Sequence, residues 1–215
     1  LNDLYQQIPA EKREKILQAA IREFAERGYD QASTNKIIQE AAISKGLLFH
    51  YFGNKKQLYL ATFDHCVAQY MDEMEEMIPS LVDLPSDLFD RILYLSEFKY
   101  RYFLRHPLVY SFLLRAYSEI SKKFPREVEE RLHEYQKIAM PFILEGIDRS
   151  KFRDDLDLEK AMSLIYLCLH AIAQRMAEEA LQQPEKGLEQ WEEMLSDYKP
   201  MLEIFKHGVY RTNAE

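Results

Sequence analysis

The sequence predicts an all-α protein in which an N-terminal three-helix helix-turn-helix domain precedes a larger helical domain, with about nine helices in total. Three observations predict it. Apolar residues recur at three- and four-residue spacing along most of the chain and show no stretch of period-two alternation. Only six glycines are spread over 215 residues. Between Ser33 and Leu58, two short amphipathic segments meet at a tight turn, the pattern of a helix-turn-helix.

The first helix is expected over about Ala10 to Arg27, with Ile16, Leu17, Ala20, Ile21, Phe24 and Ala25 in one stripe. Glu11 with Lys15 and Glu23 with Arg27 read as i,i+4 pairs on its other face, and Gly28 supplies the stop. Ser33 caps the next helix, which carries Ile37, Ile38 and Ala41 at helical spacing. Ala42-Ile43-Ser44 interrupts it, and Ser44 caps a segment from Lys45 to Phe52 whose apolar residues Leu48 and Phe52 lie one turn apart. Asn54-Lys55-Lys56-Gln57 reads as a capping box that opens a fourth helix reaching about Met77.

Beyond Pro79 and the break at Asp83 to Ser86, a helix is expected from Asp87 to Arg105, ending at His106-Pro107. Another follows from Leu108 to about Lys122. Pro125 opens a long amphipathic segment with Pro141 inside it, where a kink or split is expected. Asp157 caps a helix that is apolar nearly all round: Ala161, Ile165, Cys168, Ile172 and Met176 on one side, Met162, Tyr166, Leu169 and Ala173 on the other. Such a helix must be covered on both faces. The last helix, about Glu185 to Val209, carries Leu188, Trp191, Leu195, Leu202 and Phe205 and is bent by Pro200.

The formal charge is −8, which counts against nucleic-acid binding unless the charge is unevenly placed. It is: residues 1–60 hold nine Lys/Arg against seven Asp/Glu, so the remaining 155 residues carry all of the negative excess. The basic portion coincides with the helix-turn-helix. Cys66 and Cys168 lie far apart in apolar helical contexts and read as buried free thiols of a cytoplasmic protein. Leu1 to Gln7 shows no basic segment followed by an apolar run, so no secretory signal is expected. The longest stretch without Asp, Glu, Lys or Arg is Ala161 to Gln174, shorter than the ~20 residues a membrane span needs. No G-x-S-x-G, phosphate-cradling glycine loop or dinucleotide fingerprint is present, no His-x-x-x-His pair occurs, and neither cysteine has another nearby. An enzyme, a cofactor and a metal are therefore not expected. Asp155-x-Asp157-x-Glu159 reads as helix capping rather than a calcium loop.

If Leu48 and Phe52 point inward, Lys45, Gly46, Leu47, Phe49, His50 and Tyr51 form an outer face of aromatics, one cation and one glycine. A merely solvated face is richer in Glu, Lys and Gln. Gly46 costs about 1 kcal/mol against Ala in a helix, which close approach by another molecule explains. Lys55 and Lys56 sit in a first helical turn, where the macrodipole disfavours cations, so a negative partner such as a phosphate is expected there. Of the two, Lys56 is expected to face solvent.

These residues carry a resemblance. Ala20, Phe24, Gly28 and Tyr29, then Ser33, Ile37, Ala41, Ser44, Lys45 and Gly46, then Phe49, Tyr51, Phe52, Lys55 and Leu58 make the run from Glu11 to Leu58 similar to the DNA-binding domain of the TetR family of bacterial transcriptional regulators. The resemblance implies a recognition helix from Lys45 to Tyr51 with Lys45, Gly46, Leu47, Phe49 and His50 nearest base edges. It also implies that Ser33, Thr34, Ser44, Tyr51 and Lys55 touch the DNA backbone. Three positions depart from the family: Ala42 stands where glycine is frequent in the turn, Ile38 where alanine is, and Phe49 where tyrosine is usual. Phe49 lacks that phenol and is left with apolar contact, for example to a thymine methyl.

The resemblance further implies a division into a DNA-binding domain at 1–54, a connecting helix at 55–78 and an effector-binding and dimerisation domain at 79–215. The expected partners are a palindromic double-stranded operator, a second copy of the chain and a small apolar or amphipathic effector. Aromatic content in the middle of the chain, with Ser96 and His170 as polar handles, allows an effector cavity, for which Ser96, Tyr100, Phe103, Phe112, Tyr117, Phe142 and His170 are the candidate lining. Candidates for the dimer interface are Met162, Tyr166, Leu169, Ala173, Trp191, Leu195 and Leu202. The function implied is a ligand-responsive regulator, foremost a repressor. The alternative is a helical protein- or ligand-binding module whose helix-turn-helix is vestigial.

Overall fold

The computed structural model describes residues 5, 7–78, 83–116, 123–182 and 189–210. Nine α-helices occur among them: α1 (Ala10–Gln31), α2 (Thr34–Glu40), α3 (Lys45–Phe52), α4 (Lys55–Met77), α5 (Leu88–Arg105), α6 (Pro107–Arg115), α7 (Pro125–Leu144), α8 (Leu158–Gln182) and α9 (Glu189–Val209). A 3₁₀ turn at Arg149–Lys151 lies between α7 and α8. The chain forms two compact units, Leu1–Glu75 with Arg105–Leu132, and Glu76–Leu104 with His133–Glu215. These units do not follow the linear division at residue 79: Arg105–Leu132 belongs with the N-terminal helices.

In the first unit, the whole apolar stripe of α1 is buried, from Ile16 to Ala25. Ile37 of α2, Leu48 and Phe52 of α3, and Leu58, Tyr59 and Ala61 of α4 are buried in the same unit. Gly28 ends the regular helix with φ 68°, a left-handed conformation that an L side chain adopts at a cost. α6 packs along α1. The Phe112 ring of α6 lies 5.0 Å from Tyr59 and 6.3 Å from Phe24, and Phe24 and Tyr59 meet edge to face at 4.8 Å. Aromatic contacts at these distances add to the area they bury. Polar ties reinforce the packing. Arg115 donates Nε to the Ala25 carbonyl at 2.9 Å, a carbonyl near the α1 C-terminus, and Arg131 makes a bidentate bond to Asp64 at 2.7 and 3.1 Å.

In the second unit, Leu88, Phe89 and Ile92 of α5 pack with Phe152, Ala161 and Ile165, and with Leu202, Val209 and Tyr210. Asp87 caps α5, accepting from the N–H groups of Phe89 and Asp90, and pairs with Lys151 at 2.8 Å. Arg91 is buried and donates to the carbonyls of Pro85 and Glu145. A buried guanidinium is tolerated because such acceptors replace its water. α7 continues one turn past Pro141 and α9 runs through Pro200, so neither proline splits its helix.

Candidate nucleic-acid interface

Three successive helices of the first unit begin with side-chain caps. Ser33 accepts from the Lys36 N–H at 3.4 Å, Ser44 from Leu47 at 3.2 Å, and Asn54 from Gln57 at 3.0 Å. Leu48 and Phe52 anchor α3 inward. Lys45, Gly46 and His50 are exposed on its outer side, with Leu47, Phe49 and Tyr51 half-buried at the flanks. The His50 and Tyr51 rings lie 5.5 Å apart. Ser33 and Ser44 are exposed, and Thr34 and Lys55 half-buried. A Cβ at Gly46 would meet nothing within 4 Å. The protein's own packing therefore does not require glycine there.

Ala42, in the turn between α2 and α3, takes φ 52°. This is the turn position where the resembled family frequently has glycine, and the left-handed conformation costs an alanine about 1–2 kcal/mol.

Glu23 corrects the sequence reading. It is not an exposed partner of Arg27 but a buried side chain whose carboxylate accepts the Ser33 N–H at 2.8 Å and lies 2.9 Å from the Lys36 ammonium. Burial disfavours its charged form; the Ser33 N–H and Lys36 more than offset this, and the carboxyl sits below its usual range. Lys36 is raised in turn by Glu23. One acidic side chain of α1 thus fixes the start of α2. The signal was in the sequence: Glu23 follows buried Ile16 by seven residues, which places both on one side of the helix.

The lysines of α4 also differ from expectation. Lys55 donates to the Asp30 carbonyl at 3.2 Å and lies 5.1 Å from the Tyr29 ring centre, and burial lowers its pKa. Lys56 is not solvent-facing: it pairs with Glu127 and lies 4.5 Å from the Phe124 ring centre. Protein groups thus already answer both cations, so the lysines by themselves do not demand an external anion. Lys123, which pairs with Asp30 and lies 5.1 Å from Tyr29, joins this cluster from a part of the chain that local pattern does not connect to it.

Of the expected effector-site residues, Ser96, Tyr100 and Phe142 are half-buried and Phe103 buried, all in the second unit. Phe112 does not join them. It is fully buried among Phe24 and Tyr59 in the first unit, because α6 packs on α1. Tyr117 lies outside the described residues, as do the side chains of His170, Ala173, Trp191 and Leu195. Leu202 is core of the second unit, and Met162 and Leu169 pack against that same core. Tyr166 is half-buried. Among the described residues of α8, the large apolar side chains left uncovered are Leu164 and Leu167, 58% and 62% exposed.

A cleft of about 620 Å³ opens in the first unit, lined by Tyr5, Arg13, Glu14, Asp64 and His65 among others. None of the expected effector-site residues lines it. Its His65 Nε2 stands 3.5 Å from Glu14 without hydrogen-bond geometry, and burial lowers the imidazole pKa. No group of His, Cys, Asp or Glu among the described residues is arranged to hold a metal ion, and no described helix is long and apolar enough to cross a membrane.

Residues 16–62 match the family described as bacterial regulatory proteins, tetR family. Over 152 residues the chain is 26% identical to the fatty acid metabolism regulator protein of Bacillus subtilis, covering 71% of this chain and 76% of that one. Over 172 residues it is 26% identical to the transcriptional repressor AcnR of Corynebacterium diphtheriae, covering 77% and 81%. The crystal structure of the regulator FadR from Bacillus subtilis in complex with stearoyl-CoA superposes with a TM-score of 0.66 at 19% identity, over 92% of this chain and 99% of that one. At that identity the likeness is one of fold.

Proposed function

We propose, from the premise that this chain belongs to the TetR family of bacterial transcriptional regulators and is therefore a DNA-binding regulator and not an enzyme, that α3 is its recognition helix and that it represses transcription from a palindromic operator as an effector-released homodimer. The observation that carries the reading is the outer side of α3. Lys45, Gly46 and His50 stand exposed on a short helix held by one cap and two buried anchors. A rigid helix presenting a cation, a hydrogen-bonding ring and a glycine that nothing in the protein requires fits close approach to base edges. Ser33, Thr34, Ser44, Tyr51 and Lys55 flank that face and contact phosphates, which sets position rather than sequence preference.

The dimer forms through α8 and α9. Leu164 and Leu167 share one face of α8 at i,i+3 spacing, and Ile204 of α9 is 71% exposed. Apolar side chains this exposed are covered when the same patch of a second copy meets them about a two-fold axis. Two readers about 34–36 Å apart then enter successive major grooves. The effector is a small apolar or amphipathic molecule held in the second unit. The stearoyl-CoA bound to the Bacillus subtilis fold relative is an amphipath of this kind. If effector and operator favour different states of the dimer, each weakens the other by the same factor.

The test is selection from random genomic duplex fragments at near-physiological salt, followed by sequencing of what stays bound. Recovery of one palindromic sequence is expected. Lys55→Ala should weaken binding to all sequences alike and reduce the salt slope by about 1, while Lys45→Ala should relax preference at defined positions. Salt-sensitive binding with no shared sequence, or none, would overturn the reading in favour of a vestigial helix-turn-helix.

A further inference from the structure

The cleft of the first unit is walled by the first turns of α1 and by the middle of α4. One polar atom in that wall is left without a partner. The His65 side chain is 16% exposed, and its Nε2 is buried and makes no hydrogen bond. Glu14 Oε2 stands 3.5 Å from it, outside hydrogen-bond geometry. The other oxygen of that carboxylate, Oε1, accepts from the Gln18 amide at 2.8 Å, which holds the acid short of the ring.

A neutral imidazole tolerates this arrangement at the loss of one hydrogen bond. An imidazolium does not, because Nε2 then becomes a charged donor out of reach of solvent. The charged groups around the ring divide. Glu14 of α1 and Asp72 of α4 favour the protonated ring, and Arg13 of α1 opposes it. Burial is the largest influence, and the pKa is lowered on balance. The other acids of the cleft are engaged elsewhere: Glu11 pairs with Lys15 at 2.7 Å, and Asp64 binds Arg131 of α7 at 2.7 and 3.1 Å. Burial raises the Tyr5 phenol and the Cys66 thiol, so both stay neutral.

The two helices that meet at this pair also hold the DNA reader. Phe24 of α1 meets Tyr59 of α4 at 4.8 Å, Glu23 of α1 fixes the start of α2, and Asn54 opens α4 directly after α3. We propose that His65 and Glu14 form an acid-sensitive latch between α1 and α4: below neutral pH the ring takes up a proton that the packed pair does not accommodate, the two helices loosen, and the reader loses its grip on DNA. The latch adds a response to pH to the function above and rests on the DNA-reading part of it. The direction follows from linkage. The folded ring binds a proton less readily than the unfolded chain, so the stability is full above the unfolded value of about 6.5 and falls as pH drops from there toward the folded pKa. A single proton changes the unfolding constant by at most about tenfold per pH unit.

The test follows the full chain between pH 7.5 and 5.5 by three readouts. The His65 ring resonance, assigned by its loss in His65→Gln, should titrate with a midpoint below about 6.5, and Glu14→Gln, at a half-exposed site, should lower that midpoint further. The ratio of amide exchange rates in α1 and α4, parent over His65→Gln, should rise about threefold or more from pH 7.5 to 5.5. The dissociation constant for a fluorescent duplex of mixed sequence should rise by about the same factor more in the parent than in His65→Gln, a comparison in which His50 of the reader contributes equally to both. If His65→Gln does not fold, Glu14→Gln replaces it, and its exchange should quicken in acid more than the parent's. A midpoint at or above 6.5, a midpoint unmoved in Glu14→Gln, or the same pH profile of exchange in parent and variant would overturn the proposal, as would exchange that responds while DNA affinity does not. If no duplex is bound at either pH, the DNA reader proposed above fails, and the resonance and exchange readouts decide the latch by themselves.

Discussion

Glu23 offers the sharpest stability test, because two different parts of its environment are separable. Its carboxylate accepts the Ser33 N–H at 2.8 Å and pairs with Lys36 at 2.9 Å. A hydrogen bond to a buried charged group contributes about 1.5–3 kcal/mol. Lys36 is half exposed, so its share is small. Glu23→Ala should therefore lower stability by about 2–3 kcal/mol, a fall of roughly 4–12 °C in Tm for a domain of this size. Glu23→Gln keeps an acceptor for Ser33 and should lose about half as much. Denaturant unfolding of the two variants and the parent measures this. The carboxyl lies below its usual range when folded, so its contribution is present above the unfolded pKa of about 4.3 and is lost as pH falls through the folded value. The gap between parent and Glu23→Ala should accordingly close in acid. Because α2 loses its tie to α1, operator affinity should fall more in Glu23→Ala than in Glu23→Gln. A Glu23→Ala protein within 0.5 kcal/mol of the parent at neutral pH would refute the reasoning.

Ala42→Gly relieves a left-handed alanine and, after the greater unfolded-state freedom of glycine is subtracted, should raise stability by about 0.5–1 kcal/mol in the same unfolding experiment. Phe112→Ala removes a fully buried ring from the contact of α6 with α1 and α4 and should cost about 3–5 kcal/mol, measured by thermal unfolding. Leu167→Glu places a charge on the uncovered face of α8 and should shift the protein toward monomer in sedimentation velocity without loss of helix content. The Cys66 thiol is buried and its pKa is raised by that burial, so it should react with thiol reagents at pH 8 only on unfolding.

The helices of the reader were written in the sequence because each is specified locally. Caps at Ser33, Ser44 and Asn54, stripes such as Ile16 to Phe24, and the stop at Gly28 are relations within a few residues, and local backbone chemistry enforces them. The outer face of α3 followed from the same arithmetic once Leu48 and Phe52 pointed inward. The single-family pattern over Glu11 to Leu58 is likewise made of such short relations.

Tertiary structure decided what spacing along one helix leaves open. Glu23 had both Arg27 and the start of α2 within reach, and only the packing of α2 on α1 turned it inward. Lys56 found Glu127 because Arg105–Leu132 folds with the N-terminal helices, a pairing across 71 residues that no periodicity encodes, and Lys55 found the Asp30 carbonyl at the end of α1, 25 residues before it. Phe112 became core of the first unit for the same reason. On α8, apolar residues nearly all round gave two possible inner faces, and the contacts with the second unit's core buried Ala161 and Ile165, set Met162 and Leu169 against the edge of that core, and left Leu164 and Leu167 outward. Periodicity names the faces of a helix; which face meets which neighbour is a property of the packed whole.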